Sequence, residues 1–198
     1  KKMKKMITVV LVGAGNRANV YASVSLEYPG KMKVVGIVDP DPVRRELMRE
    51  RYSVPLENCF ENVSEFVKRE RFADAVINGT MDHLHVPTSI PILEKGYDML
   101  LEKPFAPNEE EMREIVECAR KNNSKVMICH VLRYTPFYYA IKERLAKKAS
   151  KLITNGDVVF LDASSTVSHM VEYFTAEQNL TIITNSTVKT VGGYIGSL

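Results

Sequence analysis

Short apolar runs and amphipathic stretches alternate along the chain from residue 6 to about residue 145. The apolar runs are rich in β-branched residues and predict strands at 7–12, 33–39, 73–78, 98–101 and 125–130. Helical patterns lie between them, the clearest beginning at Asn108 with three glutamates behind it. Because the strands are apolar on both faces and joined by helices, we expect an α/β fold with a parallel sheet covered on both sides. The alternative is an unrelated α/β arrangement with the same alternation.

The character of the chain changes near residue 145. Residues 146–198 hold 13 serines and threonines in 53 positions, against 10 in the first 145. Their pattern predicts a strand at 158–163, a Ser/Thr-rich turn, a helix at 167–174, a strand at 180–184 and a helix at 187–196, which is a short βαβα fragment. We therefore predict two domains, residues 1–145 and residues 146–198, although no Gly-, Ser- or Pro-rich linker separates them.

A glycine-rich turn follows the first predicted strand. Residues 13–18 have the spacing Gly-x-Gly-x-x-Ala and open a predicted helix. Gly13 permits the tight bend, and Gly15 lets backbone amides approach a pyrophosphate. The free N–H groups of the first helical turn, around Asn16 and Arg17, suit the same phosphates. The motif therefore predicts a dinucleotide site in a Rossmann-like, doubly wound parallel sheet.

The second predicted strand ends in Asp39, 26 residues after Gly13. A carboxylate there can accept hydrogen bonds from an adenosine ribose. The alternative is that Asp39 only caps the helix that begins near Pro40-Asp41-Pro42. Arg44 and Arg45 are close enough along the chain to hold a 2′-phosphate instead. The expected cofactor is therefore NAD or NADP.

Glu102-Lys103-Pro104 follows the predicted strand at 98–101. Ligands of open α/β sheets bind beyond the carboxyl ends of the strands, so Lys103 is expected at the cofactor crevice. A lysine there can exchange a proton with a substrate hydroxyl or carbonyl while a hydride moves. We therefore predict that Lys103 is a catalytic acid/base. The alternative is an ordinary surface lysine in a βα turn.

Three histidines are further candidates. His83 and His85 form a His-x-His pair that could be half of a metal site. No third ligand stands nearby at a recognisable spacing, so we expect a loop role and no metal. His130 ends a predicted strand at the carboxyl edge, where it would either touch substrate or serve the structure.

Five motifs in order resemble the NAD(P)-binding domain of the Gfo/Idh/MocA oxidoreductases over residues 6–145. They are Val10-Leu11-Val12-Gly13-Ala14-Gly15, Val35-Gly36-Ile37-Val38-Asp39-Pro40, Thr80-Met81-Asp82-His83-Leu84-His85, Leu101-Glu102-Lys103-Pro104 and Val131-Leu132-Arg133-Tyr134-Thr135-Pro136. The resemblance implies NAD(P)-dependent hydride transfer to or from sugars or polyols, with Lys103 as the catalytic-site lysine. It also implies that Thr80, His85 and Glu102 lie along the cofactor, with Arg133 and Tyr134 near its nicotinamide end.

The segments at 156–167 and 179–186 resemble the start of the sugar-phosphate-sensing domain of DeoR-type transcriptional regulators. The hydroxyls and amides of Ser164, Ser165 and Thr166 could hold a sugar phosphate at the start of a helix. The alternative is a capping serine without a ligand. The helix-turn-helix of those regulators has no counterpart here, so we expect no DNA binding.

Charge and composition exclude several classes of function. The net charge is +3, but four lysines occupy the first five positions and the remainder carries −1, so we expect no nucleic-acid partner. No apolar run approaches the ~20 residues of a membrane helix. A basic start without a signal-peptide cleavage site argues against secretion. Three cysteines without a Cys-x-x-Cys pair fit a reducing compartment, so we expect a cytoplasmic protein.

These observations predict an NAD(P)-dependent oxidoreductase acting on a small sugar-like molecule. We also expect a homo-oligomer, because apolar surface left uncovered on such a domain favours association. The substrate domain of the Gfo/Idh/MocA family has no counterpart after residue 145, which argues against turnover by this chain alone. The alternatives are a noncatalytic module that binds a dinucleotide or a sugar phosphate, and a truncated or chimeric gene product.

Overall fold

The computed structural model of the chain describes residues 6–162, 165–184, 188–190 and 193–195. The chain divides into two compact units, Lys1–Cys129 and His130–Leu198. The first unit holds the predicted sheet, and the second contains the long helix Pro136–Ser150. The domain boundary expected at residue 145 lies inside that helix and stays a prediction.

The first unit is built on a six-stranded parallel sheet. Its strands are β1 (Ile7–Val12), β2 (Met32–Val38), β3 (Cys59–Phe60), β4 (Ala75–Asn78), β5 (Asp98–Leu101) and β6 (Val126–Ile128). They are ordered β3-β2-β1-β4-β5-β6, so the chain starts in the middle and winds first to one edge and then to the other. This is the strand order of the Rossmann fold, and the predicted fold class is confirmed. The two-residue edge strand β3 escaped the sequence analysis.

Alternate residues of β1 enter two separate hydrophobic cores, one on each face of the sheet. Val10 and Val12 pack in one core, and Val9 and Leu11 pack in the other. Successive side chains of a strand point to opposite faces, so a strand buried on both sides needs apolar residues at every position. This explains why β1 shows no polar alternation.

The helices of the first unit pack on these two cores. They are α1 (Asn16–Ala22), α2 (Val24–Glu27), α3 (Pro42–Tyr52), α4 (Val63–Phe66), α5 (His85–Glu94) and α6 (Glu109–Lys121), with 3-10 turns at Leu56–Asn58 and Asp82–Leu84. The expected start of α6 is present, since Asn108 Oδ1 accepts from the N–H of Glu111 at 2.9 Å. Helix α5 ends just ahead of Gly96, whose φ of +75° suits a residue without a Cβ.

The second unit contains α7 (Pro136–Ser150) and a two-stranded parallel sheet of β7 (Val158–Leu161) and β8 (Thr181–Thr184). A small core forms around Leu161, Val171 and Phe174. The helix expected at 167–174 is present as the one-turn helix α8 (Ser165–Ser168) followed by a 3-10 helix, His169–Tyr173. A further 3-10 turn, Ala176–Gln178, leads into β8.

The helix predicted at 187–196 is wrong. The described residues of this segment form two antiparallel strands, β9 (Val188–Thr190) and β10 (Gly193–Ile195), so the fragment does not end in the α-element of a βαβα unit. The physical reason is visible in the sequence. Residues 187–191 are β-branched except for Lys189, and branching at Cβ restricts χ1 and favours strands.

Gly79 lies where α1 packs closely on the sheet. A Cβ at this position would lie 2.9 Å from the Cβ of Ala18 and 3.1 Å from its backbone nitrogen. We expect Gly79→Ala to lower the free energy of unfolding by about 1–3 kcal/mol, because helix and loop must move apart. Gly30→Ala is the matched control, since no atom lies within 4 Å of a Cβ there. Urea unfolding compares the two, and equal effects would contradict the close packing.

Candidate functional site

The loop between β1 and α1 bends sharply at Gly13. This glycine has a φ of +79°, and its N–H donates to the carbonyl of Val38 at 2.8 Å. A Cβ on Gly13 would lie 2.9 Å from the backbone nitrogen of Thr80, so conformation and space both require glycine. At Gly15, by contrast, no atom lies within 4 Å of the place a Cβ would take. The turn is therefore closely packed beneath Gly13 and open at Gly15.

Backbone N–H groups lie next to the open space at Gly15. Within the described part of the chain, no acceptor pairs with the N–H groups of Gly15, Asn16 and Arg17. The side chains of Asn16 and Arg17 are exposed. Helix α1 has seven residues, so its N-terminus is a minor part of the site. The free amides and the room at Gly15 together form a surface that can accept an anionic group.

Asp39 directly follows β2 and is 3% exposed. Its Oδ2 accepts from the N–H of Ala14 at 2.7 Å, and its Oδ1 accepts from the N–H of Asp41 at 2.9 Å. The capping alternative for Asp39 is wrong, because Asp41 is the N-cap of α3 and accepts from the N–H of Val43 at 2.9 Å. Asp39 therefore joins the glycine turn to the end of β2 and places a carboxylate beside it.

Arg44 and Arg45, in the first turn of α3, both contact Asp39. Arg44 Nε lies 3.7 Å from Oδ1 of Asp39 and 3.2 Å from Oδ2 of Asp41. Arg45 donates from Nη1 to the backbone carbonyl of Asp39. Both arginines that could hold a 2′-phosphate are thus engaged with acceptors around Asp39.

Glu102, at the end of β5, is the centre of a buried polar group. It is 6% exposed, and its Oε1 accepts from the hydroxyl of Tyr21 at 3.0 Å. Its Oε2 accepts from the N–H of Lys103 at 2.6 Å, and Arg17 Nε lies 3.7 Å from Oε1. These partners compensate for removing a carboxylate from water. The contacts tie α1 to the turn that carries Lys103.

Tyr21 escaped the sequence analysis, because its partner Glu102 is 81 residues away along the chain. Burial raises the pKa of the Tyr21 phenol well above its usual range, and hydrogen bonds with Cys129 and Glu102 add to the shift. Burial also raises the pKa of the Cys129 thiol. Both groups therefore stay protonated at neutral pH, and Tyr21 acts as a donor toward Glu102.

Lys103 lies at the same edge of the sheet as Gly13 and Asp39, since each follows a strand of one parallel sheet. Its side chain is exposed and has no ion-pair partner among the described residues. The Lys103–Pro104 peptide bond is cis. The lysine is therefore free to meet a ligand from solvent, and its catalytic role stays a prediction.

Asn78 ends β4 and orders the loop that follows. It is 1% exposed, and its Oδ1 accepts from the hydroxyl of Thr80 at 2.8 Å. Its Nδ2 donates to Thr88 Oγ1 at 2.9 Å and to Ser89 Oγ at 3.1 Å. The sequence analysis did not single out Asn78. The signal that could have identified it is an amide side chain at the carboxyl end of an apolar strand.

His85 has no exposed surface. Its Nδ1 lies 2.7 Å from the carbonyl oxygen of Pro104, and its Nε2 lies 3.2 Å from that of Thr80. The ring therefore connects the loop after β4 to the loop that carries Lys103. Because the ring is buried, His85 can influence a ligand only by positioning these two loops.

The other predicted residues are in the second unit. Arg133 and Tyr134 belong to the second unit, in the 3-10 helix Val131–Tyr134. Ser164 lies outside the described residues, and Thr166 is half-buried in α8. No group of three His, Cys, Asp or Glu side chains suited to a metal ion occurs in the described ranges. None of the helices in those ranges is long and apolar enough to cross a membrane.

The strand order, the glycine turn after β1 and the buried carboxylate after β2 define a Rossmann domain of the dinucleotide-binding class. A family profile described as "Oxidoreductase family, NAD-binding Rossmann fold" and named GFO_IDH_MocA matches residues 7–130. The chain belongs to this family. A second profile, the DeoR C-terminal sensor domain, matches residues 138–190. Both resemblances seen in the sequence are confirmed.

Relatives and solved structures agree with this assignment. The chain is 28% identical to inositol 2-dehydrogenase from Rubrobacter xylanophilus, covering 72% of this chain and 40% of the relative. It is also 28% identical to trans-1,2-dihydrobenzene-1,2-diol dehydrogenase from Xenopus laevis, covering 66% of this chain and 37% of the relative. The chain thus spans about two fifths of the length of these curated relatives.

Two solved structures share the fold. The WlbA dehydrogenase from Bordetella pertussis, in complex with NADH and UDP-GlcNAcA, superposes with a TM-score of 0.63 at 19% identity, over 79% of this chain and 46% of that one. Apo scyllo-inositol dehydrogenase from Lactobacillus casei gives a TM-score of 0.64 at 18% identity, over 86% and 50%. At these identities the likeness concerns the fold alone.

Replacing His85 by leucine would leave the carbonyls of Thr80 and Pro104 without the imidazole. We expect His85→Leu to lower the free energy of unfolding by about 1–3 kcal/mol, the usual effect of leaving a buried polar group unpaired. We also expect faster amide exchange in residues 79–81 and 102–106. The control is His83→Leu, at a neighbouring exposed position. If urea unfolding shows no difference between the two variants, His85 does not connect the loops.

Proposed function

We propose that the first unit binds NAD along the carboxyl edge of its sheet and serves hydride transfer on a sugar or polyol. The observation that carries the proposal is the glycine turn, with free amides and open space at Gly15, beside the buried carboxylate of Asp39. The family match over residues 7–130 supports it. The same fold in a dehydrogenase crystallised with NADH is consistent with it.

The residues at this edge fit a dinucleotide. The amides of Gly15, Asn16 and Arg17 would hold the pyrophosphate, which can approach because no side chain fills the space at Gly15. Asp39 already accepts one hydrogen bond on each oxygen. A carboxylate has about four lone-pair sites, so Asp39 can still accept from both hydroxyls of the adenosine ribose.

The same arrangement favours NAD over NADP. A 2′-phosphate would be placed next to the Asp39 carboxylate, and like charges at that distance repel. Arg44, which lies within ion-pair distance of Asp39, is shared between the carboxylates of Asp39 and Asp41. To bind a phosphate it would have to leave those partners.

A dinucleotide held at this edge would supply the redox chemistry, as donor or acceptor of a hydride. The Lys103 ammonium would give a proton to the substrate oxygen, or its amine would take one, as the hydride moves. The Glu102 carboxylate accepts a hydrogen bond from the backbone N–H of Lys103, and the His85 ring contacts the carbonyl oxygen of Pro104, the next residue. The lysine is thus carried on a turn that is held from both sides before any ligand binds.

The substrate class rests on the relatives, which act on inositol and on a diol by name. Adjacent hydroxyls on a ring are common to these molecules, so we propose a polyol or sugar for this chain. The chain spans two fifths of those relatives, so we propose that further substrate contacts come from outside residues 7–130.

Assembly and location complete the proposal. Phe137, Tyr138 and Leu145 on α7 are 68%, 41% and 53% exposed, which supports association with further copies of the chain. Three free cysteines support a reducing, cytoplasmic environment. We also propose that the boundary between a dinucleotide domain and a sensor-like segment lies near residue 145.

A second candidate function concerns the sensor-like segment itself. The profile match over residues 138–190 supports a noncatalytic site for a sugar phosphate at Ser164, Ser165 and Thr166. Such a site would act whether or not the first unit turns over substrate.

Titration with dinucleotides tests the leading proposal. By calorimetry we expect saturable binding of NAD, and binding of NADP weaker by about tenfold or more, which corresponds to about 1.4 kcal/mol. Asp39→Ala should weaken the binding of NAD and reduce the difference in affinity between NAD and NADP. Asp82→Ala, at an exposed position in the same unit, is the control. The absence of saturable binding at millimolar NAD and NADH would overturn the proposal.

The role of Lys103 is tested separately from cofactor binding. With a panel of polyols and NAD, we expect Lys103→Met to reduce hydride transfer by about 100-fold or more, the usual range for a lost acid/base group. Dinucleotide affinity should change less than about twofold. The control, Lys95→Met, replaces another exposed lysine of the same unit. It should change neither the rate of hydride transfer nor the dinucleotide affinity. Equal activity of the two variants would exclude Lys103 from the chemistry.

A further inference from the structure

The second unit contains a cavity of about 740 Å³ that neither family match assigns. One wall comes from the 3-10 helix Val131–Tyr134 and the start of α7, and another from the junction between α8 and the 3-10 helix after it. The lining residues are Arg133, Tyr134, Pro136, Tyr139, Lys142, Ser168 and His169. Its volume lies within the range of about 300–1,000 Å³ common to small-molecule sites.

The sequence of α7 explains how this wall forms. Pro136, Tyr139 and Lys142 recur at every third position, so they share one face of the helix. Arg133 precedes them by three further residues, in the 3-10 helix. The 3-10 helix and α7 thus bring two cations and an aromatic ring to one cavity.

The charge around the cavity is unbalanced. Arg133 and Lys142 line it, no carboxylate does, and neither cation has an ion-pair partner among the described residues. His169 also lines it, and its Nδ1 lies 3.5 Å from Oε1 of Glu172. The Arg133 guanidinium and the Lys142 amino group therefore remain for a ligand. An arginine fork and a lysine ammonium are the groups that bind phosphate and carboxylate.

The rest of the lining is suited to an apolar body. Tyr134 and Pro136 contribute apolar surface, and the ring of Tyr139 packs edge-to-face on His169 with centroids 5.3 Å apart. This contact restrains Tyr139, so it presents a defined face to a flat or ring-shaped ligand. Ser168 also lines the cavity.

We propose that this cavity binds a small organic anion, whose phosphate or carboxylate pairs with Arg133 and Lys142 and whose ring packs against Tyr139. The site is distinct from the Ser164–Thr166 turn and independent of the dinucleotide proposal. It is formed in part by residues 131–137, which lie between the two family matches.

Calorimetry on the full chain tests the site with three probes: phenyl phosphate, benzoate and the uncharged benzyl alcohol. We expect saturable binding of at least one anion and none of benzyl alcohol. Binding of phenyl phosphate alone assigns the head group as phosphate, whereas binding of both includes carboxylates. Arg133→Gln and Lys142→Gln should each weaken binding by about fivefold or more, as expected for the loss of a charge-assisted contact.

The controls locate the binding. Arg144→Gln removes an exposed cation from α7 about 200° around the helix from Lys142, and should change affinity less than about twofold. Arg17→Gln and Ser165→Ala remove groups of the first unit and of the Ser/Thr turn, and should also leave affinity unchanged. The proposal is overturned if neither anion saturates at millimolar concentration, or if any control weakens binding as much as Arg133→Gln. Far-UV circular dichroism confirms that each variant is folded.

Discussion

The close approach of backbone segments at the carboxyl edge of the sheet governs the first unit. Gly13 packs against the loop after β4, and Gly79 in that loop packs against Ala18 of α1, with no room for a Cβ at either glycine. Because α1 lies so near the sheet, the Ala14 N–H reaches the carboxylate of Asp39, and Tyr21 reaches Glu102. The geometry of the candidate site follows from this packing.

Buried polar side chains then hold the loops above the sheet. Asn78, His85 and Glu102 are each less than 9% exposed, and each binds the backbone or side chains of a neighbouring loop. Hydrogen bonds in the interior are strongly directional, so these paired polar groups favour one arrangement of the loops. This is the physical basis for expecting Lys103 and the glycine turn to be preorganised toward a dinucleotide.

The second unit combines residues from two sources of similarity. Its α7 begins just after the oxidoreductase match ends at residue 130, and most of it lies within the sensor-domain match that starts at 138. Arg133 and Tyr134, which resemblance to the oxidoreductases relates to the nicotinamide, here line the cavity of the second unit. Arg133 and Tyr134 match the oxidoreductase motif in sequence, but the residues that surround them in the structure come from the chain that follows the motif.

The sequence by itself determined five of the six strands of the first unit, the glycine turn and the carboxylate after β2, because these depend on local periodicity and on residues close in the chain. The helix predicted at 187–196 is wrong, because β-branched residues in this segment favour the strands found in its described part. Only the tertiary structure decided that Asp39 binds Ala14, that Tyr21 meets Glu102 across 81 positions, and that His85 is buried between two carbonyls. These contacts join residues from separate strands and helices, and no local pattern encodes which distant donors and acceptors will meet when the sheet assembles.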